Sequence, residues 1–248
     1  MAIAKENINK DKLPKHIAVI MDGNGRWAKS KGAARIFGHK NAITAVREVT
    51  EASAELGVGY LTLYAFSTEN WGRPKDEVMA LMKLLVSTIR GEIKTLKKNN
   101  VRLQAIGAID NLPGSCQNEL AEAIEKTKNN TGLTLVLALS YSGRWEILEA
   151  VKKIADKVNS KEMSTSEINE ETFAGMLNTG AFPDPELLIR TSGEMRISNF
   201  LLWQIAYTEI YFTDKLWPDF RKEDLYEAIL SFQARERRFG RISEQVNT

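Results

Sequence analysis

The sequence predicts an α/β fold: one domain around a doubly wound, mostly parallel, six-stranded sheet flanked by helices. Three observations carry this. Six short apolar runs recur along the 248 residues. The stretches between them repeat apolar residues at helical spacing. The runs are apolar throughout rather than alternating, the pattern of strands covered on both faces. Strand and helix in alternation imply parallel pairing with right-handed crossovers.

In chain order, residues 1–14 are polar and lysine-rich, and read as a flexible arm ahead of a domain over 15–248. A strand at 17–21 runs into a two-glycine loop, and a helical pattern comes next over 41–56. A strand at 60–66 leads to a helix over 76–99, and one at 101–106 to a helix over 114–128. A strand at 133–140 precedes helices over 143–158 and 168–178. Strands at Leu187–Arg190 and Glu209–Phe212 lead to a last helix over 222–239. The polar stretch 159–171 is the one candidate seam, but the chain beyond it is too short for a second core.

Composition narrows the function classes. The net charge of +2 gives no footprint for nucleic acid. One cysteine, Cys116, rules out an internal disulfide and fits a reducing compartment. With only His16 and His39, a Cys/His zinc cluster is not expected. The amino terminus has no apolar run of the kind a secretory signal needs, and the longest apolar stretch, 200–212, carries Gln204, Thr208 and Glu209. The expectation is a cytoplasmic protein.

In a doubly wound sheet the ligand lies beyond the carboxyl ends of the strands. Four such ends are polar, rich in small residues, and each carries arginine: 22–26, 66–73, 140–144 and 190–198. Four together point to a shared anionic ligand. In the first, glycines let backbone N–H groups approach a phosphate, Asp22 offers a metal ligand and Arg26 a counter-charge. Those are the parts that hold a diphosphate with a divalent ion. A dinucleotide site is the competing reading, because Gly23, Gly25 and Ala28 satisfy a relaxed G-x-G-x-x-A and Glu48 lies about 20 residues on. Against it, Glu48 falls inside a helical pattern, and Asp22 would set negative charge beside a metal-free pyrophosphate.

The segment HIAVIMDGNGRWA (16–28) closely resembles the signature of the cis-prenyltransferases, in particular the bacterial undecaprenyl diphosphate synthases. FGHK (37–40), LTLYAFSTENWGRP (61–74), NNTGLTL (129–135), LLIRTSGEMRISNFLLWQIAYTE (187–209), LWPDF (216–220) and RERRFG (235–240) resemble that family's other motifs, in its order. The resemblance implies extension of an allylic diphosphate, farnesyl diphosphate, by repeated addition of isopentenyl diphosphate with cis geometry. It implies Mg²⁺, a homodimer, and transient contact with the inner face of the plasma membrane for product release. The expected product is undecaprenyl diphosphate, with a shorter cis-polyprenyl diphosphate as the alternative.

Laid on matching positions, the resemblance implies that Asp22 organises Mg²⁺, with Glu209 helping to place it. Gly23, Asn24, Gly25, Arg26, Arg35 and His39 would hold the allylic diphosphate, and Trp27 would line that pocket. Arg190, Arg196, Ile197 and Ser198 would bind isopentenyl diphosphate. Asn70 would serve the condensation together with Ser67, Thr68, Glu69, Trp71 and Arg73. Without the motif, His39 reads as a residue satisfied by backbone and Glu209 as a strand-edge carboxylate. Arg235, Arg237 and Arg238 lie on a helical pattern that the family uses near its dimer interface.

A greasy product needs a hydrophobic tunnel. The 76–99 helix is apolar over more than one stripe, and the family reading makes it a tunnel wall facing Leu133 and Leu135. Three motifs depart from the family's pattern, at Ser140 and Ser142, at Ala108 and at Arg241.

Overall fold

The structure, a computed structural model, describes residues 5–237. Six strands form one sheet in the order β3-β4-β2-β1-β5-β6: β1 His16–Ile20, β2 Tyr60–Ser67, β3 Arg102–Ile106, β4 Thr134–Tyr141, β5 Leu187–Arg190 and β6 Glu209–Phe212. Every pairing is parallel, and β1 lies between β2 and β5. The chain therefore reverses its direction of travel across the sheet at β1, which puts a crevice at the carboxyl end of that strand.

Seven α-helices complete the fold among the described residues: α1 Asn24–Ser30, α2 Arg35–Leu56, α3 Lys75–Lys98, α4 Gly114–Thr127, α5 Gly143–Asn159, α6 Glu170–Met176 and α7 Lys222–Gln233. Successive side chains of a strand face opposite sides. Accordingly Ile17 and Val19 of β1 join the core under α2, α3, α4 and α7, while Ala18 and Ile20 join a second core with Tyr141, Phe200 and Leu201. The continuous apolar pattern holds best for β1, β4 and β5, which are buried at every position. The edge strands β3 and β6 are only partly buried, since each lacks a neighbour on one side.

Several expectations need correction. The two-glycine segment after β1 is a helix start rather than a loop, because α1 begins at Asn24 with Gly23 as its cap. The arm is not loose where it is described: Ile8 is buried, and Gln233 of α7 donates to the carbonyls of Asn9 and Lys12 at 2.7 and 3.1 Å. Helix α6 is shorter than 168–178, because Asn169 caps it by accepting from the Thr172 N–H at 2.9 Å. The last helix ends at Gln233; Arg238, Phe239 and Arg241 lie outside the described residues. Among the described residues no helix is long and apolar enough to cross a membrane.

Candidate active site

The chain leaves β1 and turns sharply at Gly23, whose φ of +105° suits glycine and whose Cβ, if present, would lie 2.8 Å from the Leu216 side chain. This turn aims Asp22 over the carboxyl end of the sheet. Thr191, just beyond β5, fixes the turn: its hydroxyl accepts from the Asp22 N–H at 2.9 Å and donates to the Asp22 carbonyl at 2.7 Å. A second close approach holds α1 against α2. A Cβ on Gly38 would lie 2.0 Å from the Asn24 carbonyl oxygen, so only glycine lets the two helices meet there.

Asp22 is the junction of the site. Its Oδ1 accepts from the Gly23 N–H at 2.6 Å, and its Oδ2 accepts from Arg190 at 3.0 Å with Arg26 3.5 Å away. Burial alone would raise its pKa. The Arg190 and Gly23 hydrogen bonds, with the fields of Arg190 and Arg26, outweigh burial and hold the carboxyl below its usual range. Arg190, only 3% exposed, also donates to Ser198 Oγ at 2.7 Å and to the Arg196 carbonyl. Arg26 donates to the Ser192 hydroxyl at 2.6 Å and pairs with Glu194 at 3.1 Å.

The segment 191–201 gathers the other strand ends. Asn199 donates to Glu69 beyond β2 at 2.8 Å, and accepts the N–H groups of Gly143 and Arg144 beyond β4 at 2.7 and 2.9 Å. Ser192, Ser198, Asn199 and Leu201 all have positive φ. Such backbone costs energy and tends to be kept where a loop must hold a shape for function. All four polar strand ends named from the sequence thus converge. Sequence reasoning missed Thr191 and Asn199, the residues that bind them together; the available signal was that Asn199 directly follows Ser198 in the long fifth motif.

A cavity of about 380 Å³ opens beside Asp22. Its mouth carries Asp22, Gly23, Asn24, Gly25, Arg26, Arg35, His39, Asn70 and Arg73, and apolar residues of α2, α3, β2 and β4 line its body. Glu77 holds two of the mouth's cations, Arg73 at 3.3 Å and Arg35 at 3.6 Å. His39 approaches the Asn24 amide at 3.4 Å. Burial, reinforced by Arg73 and Arg35, lowers its pKa to about 4, so at neutral pH it offers a hydrogen bond rather than a charge. The β4 wall is Leu135, Leu137 and Leu139, on one face; Leu133 is buried but is not part of the lining. A register shift in β2 around Tyr64–Ser67 leaves Ala65 in the lining and re-aims the strand end.

Other residues stand elsewhere than expected. Trp27 does not line the cavity: its indole donates to Asp219 at 2.8 Å and stacks on Phe37 at 5.7 Å. Glu209 is at the wrong end of the sheet. It pairs in register with Leu187, whereas Asp22 lies beyond Ile20, the partner of Arg190. Three steps of about 3.3 Å separate those levels, and Glu209 is tied to Arg235 at 2.8 Å. One chain does not bring Asp22 and Glu209 to a single ion. Ser67, Thr68, Glu69 and Trp71 cap the end of β2, with the Trp71 indole donating to Ser140 Oγ at 2.9 Å. That contact explains serine at 140, although its φ of +48° is unusual for a strand residue. Asn70 Oδ1 accepts from the Ser67 N–H at 3.2 Å. Arg196 and its neighbour Ile197 stand on the loop, with the Arg196 side chain 60% exposed.

Among the described residues no three His, Cys, Asp or Glu side chains converge as metal ligands. The donor set beside the α1 cap is the ionised Asp22 carboxylate and Asn24 Oδ1, a buried oxygen without a partner, while Glu77, the mouth's other carboxylate, is taken up by Arg73 and Arg35. That set fits a hard divalent cation taking its remaining ligands from phosphate oxygens and water.

An ionised carboxylate among arginines at the mouth of an apolar cavity suits an enzyme that acts on prenyl diphosphates, and likeness to known proteins places the chain among the prenyl transferases. A family model described as "Putative undecaprenyl diphosphate synthase" matches residues 20–240. A ditrans,polycis-undecaprenyl-diphosphate synthase of Micrococcus luteus, (2E,6E)-farnesyl-diphosphate specific, is 54% identical over 96% of each chain. An isoprenyl transferase of Chlorobaculum tepidum is 54% identical over 95% of this chain and 89% of its own. Among solved structures, lavandulyl diphosphate synthase from Lavandula x intermedia, in complex with dimethylallyl diphosphate, superposes with a TM-score of 0.90. It is 39% identical, over 93% of this chain and 99% of that one. The chain belongs to the undecaprenyl diphosphate synthase family.

Proposed function

We propose that this chain extends farnesyl diphosphate with successive isopentenyl diphosphate units, in cis geometry, to undecaprenyl diphosphate. The observation that carries the reading is the position of Asp22. It stands between two clusters of arginine, one opening into the apolar cavity and one on the 190–198 loop. Condensation joins two diphosphates, so two anion sites must lie side by side with the reacting carbons between them.

On this reading the cavity takes the allylic substrate, diphosphate at the mouth and tail inward. The first N–H groups of α1 lack intrahelical acceptors and favour an anion. Arg26 and Arg35 supply fixed charge, and neutral His39 a hydrogen bond. Asp22 and Asn24 Oδ1 would hold Mg²⁺ with the diphosphate; when bound, the ion neutralises charge developing on the leaving group. Arg190 is held by Asp22, Ser198 and the Arg196 carbonyl, so it orients Asp22 and shapes the second site, with its buried Nε still free to donate. Arg196, the more exposed arginine, meets the isopentenyl diphosphate with Ser198. Asn70 is no base; held by Ser67, it positions the substrate whose proton is lost.

Exposed apolar side chains support partners. Leu148 and Val151 on α5 and Met195 on the loop suit a homodimer face. Phe37 and Met79, near the starts of α2 and α3, suit contact with a lipid surface during release. The test is incubation with radiolabelled isopentenyl diphosphate, farnesyl diphosphate and Mg²⁺, with products sized by chromatography. A Mg²⁺-dependent polyprenyl ladder is expected; absence of any polyprenyl product overturns the reading.

A further inference from the structure

The turn that carries Asn70 has little of its own to hold it. It is a 3-10 turn, Thr68–Gly72, five residues long and too short to keep its place unaided. There Ser67 and Asn70 satisfy each other: the Ser67 hydroxyl accepts the Asn70 N–H, and the Asn70 side chain accepts the Ser67 N–H at 3.2 Å. Two side-chain hydrogen bonds then tie the turn to the rest of the protein, one on each side of Asn70. The Trp71 indole donates to Ser140 of β4 at 2.9 Å. The Glu69 carboxylate accepts from the Asn199 amide at 2.8 Å. Asn199 is a firm post. The next residue, Phe200, is fully buried and stacks on Tyr64 of β2 with ring centres 4.3 Å apart. Asn199 also accepts the N–H groups of Gly143 and Arg144, which open α5 and have no acceptor within that helix. The residue before it, Ser198, accepts from Arg190 at 2.7 Å in the second anion site.

We infer that Asn199 is a positioning residue for Asn70, carrying the placement of the isopentenyl site across to the turn through Glu69. The inference rests on the condensation reading above, in which Asn70 positions the substrate that loses its proton. Ser198, Asn199 and Phe200 are consecutive, so one rooted stretch of chain touches the second anion site, the turn and the core. The register of Asn70 against isopentenyl diphosphate then runs through two bonds, Arg190 to Ser198 and Asn199 to Glu69. Condensation is sensitive to such placement, since about 1 Å of displacement at the reacting groups costs about 100-fold in rate. The amide has one orientation that serves both partners: Oδ1 takes the Arg144 N–H, which leaves Nδ2 to face Glu69. Burial alone would raise the Glu69 pKa. Bonds from Asn199, from its own backbone, and from Ser67 and Thr68 outweigh burial, so at neutral pH the partner is an ionised acceptor. The competing explanation is that Asn199 only caps α5 and closes its own loop. Aspartate tells the two apart. It tolerates the φ of +60° as asparagine does and still accepts the Arg144 N–H, but it sets a second carboxylate against Glu69.

The test measures the first condensation in single turnovers, per folded enzyme. The proteins are the wild type, Asn199→Asp, Glu69→Ala, and Asn199→Asp combined with Glu69→Gln, in which donor and acceptor change places. Asn199→Asp is also made in an Asn70→Ala background. Positioning predicts a loss of about 100-fold in Asn199→Asp and of at least about 10-fold in Glu69→Ala, which leaves the α5 contacts of Asn199 intact. The exchanged pair should regain at least about 10-fold over Asn199→Asp, and with Asn70 already gone Asn199→Asp should cost less than about 2-fold more. Wild-type rates in the two single variants, the outcome of a capping role alone, overturn the inference. An exchanged pair as slow as Asn199→Asp overturns it too, as does an undiminished loss in the Asn70→Ala background. A wild-type enzyme that makes no polyprenyl product defeats the condensation reading instead.

Discussion

Replacing Asp22 separates its two duties, holding Arg190 and serving the substrate. Asp22→Ala removes the acceptor for one arm of a guanidinium that is 3% exposed and whose Nε already lacks a partner. Breaking a buried ion pair from one side costs about 3–5 kcal/mol. Asp22 is itself 32% exposed, so water can reach the gap and the lower figure applies, about 3 kcal/mol. Asp22→Asn keeps one oxygen, which can serve Arg190 or the Gly23 N–H but not both, a loss of about 1–2 kcal/mol. Turnover behaves differently. Neither variant carries the charge that would hold the cation, so both should lose at least about 100- to 1000-fold in kcat, the scale set by removing a preorganised electrostatic group. Urea unfolding gives the stabilities, and isopentenyl incorporation by the folded fraction gives the rates. Asp22→Ala as stable as wild type would refute the buried-pair argument. Near-normal turnover in Asp22→Asn would remove the carboxylate from the chemistry.

The same geometry fixes three further outcomes. His16 is buried against Thr62 and the Pro183 carbonyl, and burial lowers its pKa from 6.5 to about 4. The unfolded chain therefore binds the extra proton first, and stability present above pH 6.5 is lost as pH falls toward 4. About 2 kcal/mol less at pH 5 than at pH 7 is expected, an effect that His16→Gln should flatten in urea titrations; equal slopes for both proteins would contradict this. Gly38→Ala places a methyl 2.0 Å from the Asn24 carbonyl, so α1 must retreat. A loss of about 1–3 kcal/mol with impaired turnover is expected, against the roughly 1 kcal/mol that alanine gains as a helix former; a melting temperature at or above wild type would deny the close approach. Because among the described residues no three His, Cys, Asp or Glu side chains converge on one point, Mg²⁺ alone should barely shift the melting temperature. Mg²⁺ with farnesyl diphosphate at about 100 times its Kd should add about 2.7 kcal/mol, and an equal shift from the ion alone would point to a protein-built metal site.

Much of this is legible in the sequence, for identifiable reasons. A strand buried on both faces must be apolar throughout, so β1, β4 and β5 stand out, and the glycine and arginine after each buried strand mark the carboxyl ends. Helix α1 does not stand out. Its Gly-Asn-Gly start reads as loop, and what makes it helical is the packing of Gly23 under Leu216 and of Gly38 on Asn24, contacts between distant parts of the chain. Glu209 is misplaced by sequence because a strand's motif does not reveal which end of the sheet a residue occupies; only the register with Leu187 does. Trp27 sits on a helix that serves the site, but Asp219, nearly two hundred residues later, draws its indole away.

If the chain works as proposed, the allylic diphosphate sits at the mouth beside Asp22 while its tail runs along α2 and α3. Diffraction from crystals soaked with farnesyl thiodiphosphate and Mg²⁺ tests it most directly. Diphosphate density is expected against Asp22, Arg26, Arg35 and His39, with the farnesyl chain along Leu81 and Leu85. A diphosphate bound elsewhere, or a tail outside the channel, would contradict it.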